Sequence, residues 1–302
     1  MCPNSEQGAV HFRRGPVQGT ESAIQTDCKA KQALGSQYQG QGTRLGGRAV
    51  YVACSTLCFS RLSLEGALQA IREMHFAKGD LTIHADGPHL TPTELAQEPG
   101  RVAQRLKAAN LPLAAIHLEC GTVAAAVARE QLRLVARLAR VSSTPLITLS
   151  AAPRGFDFDA EVNRLRELVK IAASEGVMLA VETHSQTITA EPLGAVELCR
   201  RVPGLGLSLD PSHYCTGVHG PLNYDALYPH VCHVRLRDSG AGPDQFQVRV
   251  GQGEIEYGRL ISQLERVQYN RALCVDIRDV ADCPFPVEPE VRKLKYLLES
   301  LV

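Results

Sequence analysis

The sequence predicts an α/β fold, a (β/α)8 TIM barrel, and three observations support this prediction. Short, apolar, β-rich runs alternate with amphipathic stretches from Arg48 to the C-terminus. The runs number eight, as in a closed parallel barrel. No glycine fingerprint follows the first run, so an open dinucleotide-binding sheet loses its main support.

The predicted strands are almost continuously apolar, which is typical of parallel strands buried on both faces. In chain order they span 49–54, 80–84, 113–117, 145–149, 177–182, 205–210, 231–235 and 272–276. Between them, apolar residues recur at helical spacing and predict helices with one apolar face. Ser63 and Asp159 are the candidate N-caps of two of these helices.

The start of the chain has a different composition from the rest. Residues 1–46 are rich in Gln, Gly, Ser and Thr and contain few large apolar side chains. Such a segment cannot offset its ordering entropy by burial. We therefore expect a disordered tail over residues 1–46 and one barrel domain over residues 47–302.

Charge and composition exclude several classes of partner. The chain has 302 residues with 32 basic and 32 acidic side chains, so its formal net charge is zero. Because this balance gives no general attraction to phosphate, we expect no nucleic acid partner.

No apolar stretch approaches the roughly 20 residues of a membrane span, and no signal peptide is evident. The ten cysteines never occur as CxxC, which is typical of reduced thiols. These observations predict a soluble, cytoplasmic protein without a membrane partner.

Ionisable residues end six of the predicted strands. They are His84, His117, Glu182, Asp210, Arg235 and Asp276. Any one of them could simply cap the following helix or pair with a neighbour. In a barrel, however, the carboxyl ends of all strands meet at one mouth, where active sites form. Six ionisable groups converging there require a metal ion or a polar ligand to organise them.

Five segments carry a more specific signal. They are Val181–His184, Leu209–His213, His233–Asp238, Gly251–Tyr257 and Val275–Asp276. In this order they resemble the successive signatures of the xylose-isomerase-like TIM-barrel superfamily, which contains sugar isomerases, ketose 3-epimerases, inosose dehydratases and zinc apurinic-site endonucleases. The resemblance extends from about Val50 to the C-terminus and does not specify the substrate.

The resemblance implies a divalent metal, Mn, Mg, Co or Zn, at the ends of the strands. Its ligands in this chain would be Glu182, Asp210, His213 and Asp276. Glu182 and Asp276 would also be the catalytic residues that remove and return a proton of a sugar or sugar phosphate through an enediolate. The partner would be a small-molecule sugar. Related barrels often pair, so a homo-oligomer is compatible with the resemblance.

Substrate-binding residues are expected at the same mouth. His213 matches a histidine that contacts substrate in the epimerases and binds zinc in the endonucleases. His84 and His117 fall where the endonucleases place two further zinc ligands, although a hydrogen-bonded structural role is equally open for both. Arg235 and Arg154 are the candidate arginines for substrate binding.

Two positions depart from the superfamily pattern. Arg235 stands where a histidine ligand is usual, and a guanidinium has no lone pair to give to a metal. Asp276 replaces a glutamate and is one methylene shorter. Either the three carboxylates keep a weaker metal with help from His213, or Arg235 occupies the place of the cation and suits the site to carboxylate or phosphate ligands.

Three functions follow from these observations. The first is a metal-dependent sugar isomerase or epimerase. The second is an apurinic-site endonuclease with a zinc cluster, but the stretch from Asp238 to Gly253 contains no histidine for the ligand pair that such an enzyme needs. The third is a barrel without activity that binds an anionic sugar or a partner protein, with Arg235 in place of the metal. His184 and His233 are expected behind the site or in the core.

Overall fold

The computed structural model describes residues 50–121, 123–216, 221–242 and 245–302. The tail predicted over residues 1–46 lies outside this part of the chain and stays a prediction. No helix within these ranges is long and apolar enough to cross a membrane.

Eight parallel strands close into a barrel, as the sequence predicts. They are β1 (Tyr51–Ser55), β2 (Lys78–His84), β3 (Leu113–Glu119), β4 (Leu146–Ser150), β5 (Met178–Glu182), β6 (Leu205–Leu209), β7 (Val231–Leu236) and β8 (Ala272–Val275). Each strand pairs with the next along the chain, and β1 closes the barrel by pairing with β8. The carboxyl ends of all eight strands therefore lie at one mouth.

Helices separate the strands along the chain. The α-helices of the described residues are α1 (Leu64–Glu73), α2 (Pro92–Gln97), α3 (Pro99–Ala109), α4 (Ala125–Val141), α5 (Phe158–Ser174), α6 (Pro192–Arg201), α7 (Ser212–Cys215), α8 (Tyr257–Arg266) and α9 (Val287–Leu301), and short 3-10 helices span Thr56–Phe59 and Asp225–His230. Ser63 caps α1 as predicted, because its hydroxyl accepts the Gly66 N–H at 3.1 Å. The prediction for α5 was wrong by two residues: the Asp157 carboxylate accepts the Ala160 N–H, which leaves Asp159 inside the first turn.

The two faces of each strand have different surroundings. In β2, Leu81 and Ile83 are fully buried in the main hydrophobic cluster, together with apolar side chains of the helices. Asp80 and Thr82 alternate with them and face the barrel interior, since successive side chains of a strand point to opposite faces. The pairing of β2 with β3 shifts register just before Asp80, and that of β6 with β7 shifts just before Ser208. The interior face of β2 thus carries polar side chains below the mouth.

Candidate functional site

Three predicted site carboxylates lie at the barrel mouth and are buried. Glu182 is the last residue of β5, and Asp210 and Asp276 directly follow β6 and β8. Their exposed fractions are 3%, 1% and 0%. Since burying an ionised carboxylate without a partner is costly, each of them needs a positive or hydrogen-bonding neighbour.

Arg235 of β7 supplies positive charge to two of these carboxylates. Its side chain is fully buried, and Nη1 lies 3.5 Å from Glu182 Oε1 and 3.8 Å from Asp276 Oδ2. Nη2 lies 3.3 Å from Oδ1 of a third carboxylate, that of Asp80. One guanidinium therefore faces three carboxylates, which is the arrangement expected where Arg235 takes the place of a metal ion.

Asp80 is a member of this cluster that sequence reasoning missed. Its Oδ2 lies 2.8 Å from His233 Nε2, and both side chains are fully buried, His233 being in the core as expected. Because β2 and β7 are not neighbours in the barrel, this contact crosses the interior. Asp80 is the first residue of the predicted second strand. The only signal in the sequence that it faces the barrel interior is that neighbouring side chains of a strand point to opposite faces, so Asp80 points away from the apolar Leu81.

Arg237, directly after β7, was also missed, and it holds Asp210. Its Nη2 donates to Asp210 Oδ2, and its Nε donates to Ser212 Oγ at 3.2 Å. The Ser212 N–H donates to the other Asp210 oxygen at 3.0 Å. Every second residue of a strand points to the same face, and this places His233, Arg235 and Arg237 on one face. The spacing in the sequence was therefore a signal by which Arg237 could have been found.

Three guanidinium groups surround Asp276. Its Oδ2 lies 3.8 Å from Arg235, 3.9 Å from Arg237 and 3.7 Å from Arg278. The side chain of Arg278 is 42% exposed. This arginine therefore brings positive charge to the part of the mouth that solvent reaches.

These contacts set the ionisation of the cluster. Burial by itself raises the pKa of Glu182, but Arg235 and His117 outweigh it and lower the pKa to about 2. The pKa values of Asp80 and Asp276 are also lowered against the effect of burial, chiefly by Arg235 in both cases. The same carboxylates raise the pKa of Arg235 despite its burial. All three acidic groups are therefore ionised at neutral pH.

His213, the predicted nitrogen ligand, lies beside Asp210. Its Nε2 is 3.8 Å from Asp210 Oδ2, and its Nδ1 is 3.2 Å from Ser185 Oγ. Burial lowers the pKa of His213 to about 4, so the ring is neutral at pH 7. His184 is half-buried and packs against it, with the ring centres 3.9 Å apart and the ring planes tilted by 38°. The two rings form a neutral, polar surface at this side of the mouth.

His117 and His84 occupy different environments. His117 lies inside β3 and not at its end, because the strand continues to Glu119. It is buried, its Nδ1 lies 2.9 Å from Thr148 Oγ1, and burial together with Arg235 lowers its pKa. His84 ends β2 and is half-buried, and its Nδ1 accepts the N–H of residue 86 at 2.9 Å. The structure therefore brings His117, but not His84, to the buried cluster.

Arg154 lies on the loop that follows β4. Its side chain is 54% exposed and pairs with Glu191 at 3.3 Å, and its backbone N–H donates to the Gln186 carbonyl at 2.9 Å. Among the residues that the structure describes, Arg154 makes no hydrogen bond or ion pair with the carboxylate cluster. Its role in substrate binding stays a prediction.

The predicted metal ligands do not fit a divalent cation in this arrangement. Hard cations take carboxylate oxygens as ligands at about 2.0–2.6 Å. One oxygen each of Glu182, Asp210 and Asp276 lies instead beside a guanidinium group, whose positive charge repels a second cation. Among the described residues, neither oxygen of Asp276 has a hydrogen-bond partner, so its contacts with the arginines are electrostatic. A different group has the donor types and spacing that could hold a divalent metal: ligand atoms of Asp80 and His233, with Cys274 Sγ, lie within 4.8 Å of one another.

Solved structures with the same fold include sugar epimerases. The D-allulose 3-epimerase from Methylomonas sp. has 14% identity and a TM-score of 0.67 over 85% of this chain and 99% of that chain. A D-tagatose 3-epimerase-like protein has 16% identity and a TM-score of 0.64 over 83% of this chain and 98% of that chain. A xylose isomerase-like TIM barrel protein from Mycobacterium smegmatis, in complex with magnesium, has 17% identity and a TM-score of 0.65 over 85% and 100%.

The family follows from a sequence comparison. No curated protein sequence matches the chain. The model of one family, described as xylose isomerase-like TIM barrel, matches residues 68–300, which is most of the chain and includes all five motif segments. The motif-based prediction is therefore confirmed, and the chain belongs to the xylose isomerase-like TIM barrel family.

Proposed function

We propose that the chain is an isomerase or epimerase of a small sugar and works by proton transfer through an enediolate. One observation carries the proposal: Glu182 Oε1 and Asp276 Oδ2 face the same guanidinium nitrogen, Arg235 Nη1, at 3.5 and 3.8 Å. Removing a proton from the carbon beside a carbonyl requires a base and a positive charge that stabilises the resulting anion. Two ionised carboxylates beside one fixed guanidinium supply both.

The reaction assigns a role to each of these groups. One carboxylate accepts the proton of the carbon beside the substrate carbonyl, and the electron pair of the broken C–H bond moves to the oxygens of the enediolate. The positive charge of Arg235 stabilises the negative charge that develops there. In isomerisation, the protonated carboxyl group returns the proton to the neighbouring carbon, while the hydroxyl proton passes from one enediolate oxygen to the other. In epimerisation, the second carboxyl group takes up a proton from solvent and delivers it to the opposite face of the same carbon, and the first releases its proton to solvent. Since the carboxylates among the predicted metal ligands lie beside arginines, no step is assigned to a metal.

The neutral histidines at the mouth could bind the substrate by hydrogen bonds. His184 is half-buried, and its Nδ1 accepts the Gln186 N–H at 3.1 Å. A neutral imidazole whose Nδ1 accepts a hydrogen bond carries its proton on Nε2. His184 is therefore a donor for a hydroxyl or carbonyl oxygen. A polyhydroxylated substrate suits this chemistry.

Proton exchange with solvent tests the proposal. The purified protein is incubated in deuterated buffer with a panel of ketoses, aldoses and their phosphates, and deuterium incorporation at the carbon beside the carbonyl is followed by NMR. We expect incorporation with at least one sugar and its loss in Glu182→Gln. Glu254→Gln is the matched control, because Glu254 is an exposed glutamate outside the cluster. If the folded protein exchanges no proton of any sugar in the panel, the proposal is wrong.

A second candidate is a barrel that binds a sugar or a small anion without turnover. The observation that favours it is the tight pairing of both carboxylates with Arg235, since an ion-paired carboxylate accepts a proton weakly. The same panel separates the two functions. A ligand that raises the melting temperature without exchanging a proton indicates binding alone.

A further inference from the structure

We propose that Arg235 is the permanent cation of the mouth and that its carboxylate cluster binds no divalent metal. The proposal deepens the proposed function and rests on it for its relevance to catalysis, because it names the positive charge of the same site. The guanidinium is fully buried, with Nη1 and Nη2 directed at Glu182, Asp276 and Asp80. A cation bound to the first two carboxylates would therefore lie close to a fixed positive charge.

Arg235 is fixed in this position from a second direction. Nη2 contacts both oxygens of Asp80, at 3.3 and 3.4 Å. Asp80 is itself held by His233 at 2.8 Å, and all three side chains are fully buried. To move away from Glu182, the guanidinium would have to leave the buried Asp80 carboxylate or enter the hydrophobic cluster. Both moves are costly, because an arginine side chain stays charged at any accessible pH. Any movement of the side chain away from Glu182 would therefore cost buried contacts with charged groups.

Two further guanidinium groups complete the charge balance. Arg237 donates to Asp210, and Arg278 lies 3.7 Å from Asp276. Together with Arg235 they give three positive charges against the four carboxylates of Asp80, Glu182, Asp210 and Asp276. The net charge of these seven groups is one negative charge. A divalent ion added beside the three arginines would turn this into one positive charge, whereas a divalent ion in place of Arg235 alone would bring the net charge to zero. The charge balance therefore disfavours a metal as long as Arg235 is present.

In the group formed by Asp80, His233 and Cys274, the Asp80 carboxylate also has protein partners already. Asp80 Oδ2 already lies at hydrogen-bond distance from His233 Nε2, so a metal bound to these two atoms would have to break that contact. The other ring nitrogen of His233, Nδ1, is buried without a hydrogen-bond partner in the part of the chain that the structure describes. Both Asp80 oxygens also contact Arg235. A divalent ion bound to Asp80 would therefore lie next to the fixed positive charge of Arg235, which is unfavourable in a buried environment.

Metal binding tests the inference. The full chain is purified, treated with EDTA and dialysed. Mn²⁺ and Zn²⁺ binding is then measured by isothermal titration calorimetry and elemental analysis, and the melting temperature is recorded with and without each ion. The wild type is expected to bind neither ion in stoichiometric amount and to show no shift in melting temperature. Arg235→His removes the guanidinium and supplies an imidazole, and it is expected to gain one Mn²⁺ per chain. Arg154→His, on an exposed arginine that is not paired with the cluster, is the matched control and is expected to gain none.

Two results would overturn the inference. One is stoichiometric Mn²⁺ or Zn²⁺ on the wild type that Glu182→Gln or Asp80→Asn removes. The other is an Arg235→His protein that folds and binds no Mn²⁺. If Arg235→His does not fold, the wild-type measurement alone decides. Proton exchange tests the proposed function and metal binding tests the cation, so either can fail without the other.

Discussion

Acid is expected to destabilise the barrel through Glu182, and the size of the effect follows from its pKa. The pKa falls from the usual 4.5 to about 2 in the folded protein. The unfolded chain therefore binds this proton first as the pH drops, so the contribution of Glu182 to stability is complete above about pH 5 and declines towards pH 2. By linkage, the free energy of unfolding loses about 2 kcal/mol from this residue between pH 7 and pH 3, and about 3 kcal/mol at still lower pH.

Urea unfolding of the wild type and of Glu182→Gln, at several pH values between 7 and 3, measures this contribution. Asp80 and Asp276 also have lowered pKa values, but they titrate in both proteins. The difference in unfolding free energy between wild type and Glu182→Gln is therefore expected to change by about 2 kcal/mol over this range, with the wild type losing more. Glu254→Gln serves as the control and is expected to follow the wild type. Parallel curves for wild type and Glu182→Gln would refute the reasoning.

Three further predictions concern stability at neutral pH, each measured by urea or thermal unfolding. Arg235→Met leaves three buried carboxylates without their shared counter-ion, so a loss of about 3–5 kcal/mol is expected, and a loss below 1 kcal/mol would contradict the buried ion pairs. Gly206→Ala places a methyl group 2.4 Å from Cys232 Sγ, which is expected to cost about 1–3 kcal/mol, and Cys232→Ala in the same chain is expected to restore much of it. Ser63→Ala removes the N-cap of α1 and is expected to cost about 1 kcal/mol, whereas Ser63→Asp keeps an acceptor and most of the stability.

The eight strands could be predicted because parallel strands buried on both faces are read directly from apolar runs. The ends of the strands are harder to predict than their centres. The third run seemed to stop at His117, the first polar residue, but Leu118 is apolar and β3 continues to Glu119. A strand that lines a polar interior carries ionisable residues before its end, so the first such residue does not mark the end of the strand.

The carboxylates of the site could be predicted from strand ends, but their partners could not. Asp80 and His233 are 153 residues apart in sequence, and only closure of the barrel brings them to hydrogen-bond distance. No local pattern encodes that contact. Arg237 is different, because its two-residue spacing from Arg235 was visible in the sequence. The predicted strand ends at Arg235, so it does not include this position.

A cation that is part of a side chain makes the charge of the site independent of the concentration of free ions in solution. A free ion binds by mass action, so its occupancy and the stability that it adds vary with its concentration. The guanidinium of Arg235 belongs to β7, and it meets the carboxylates of β2, β5 and the residue after β8 whenever the barrel closes. The electrostatic state of the mouth is therefore completed by folding itself, and chelators or changes in the supply of trace elements would leave it unchanged.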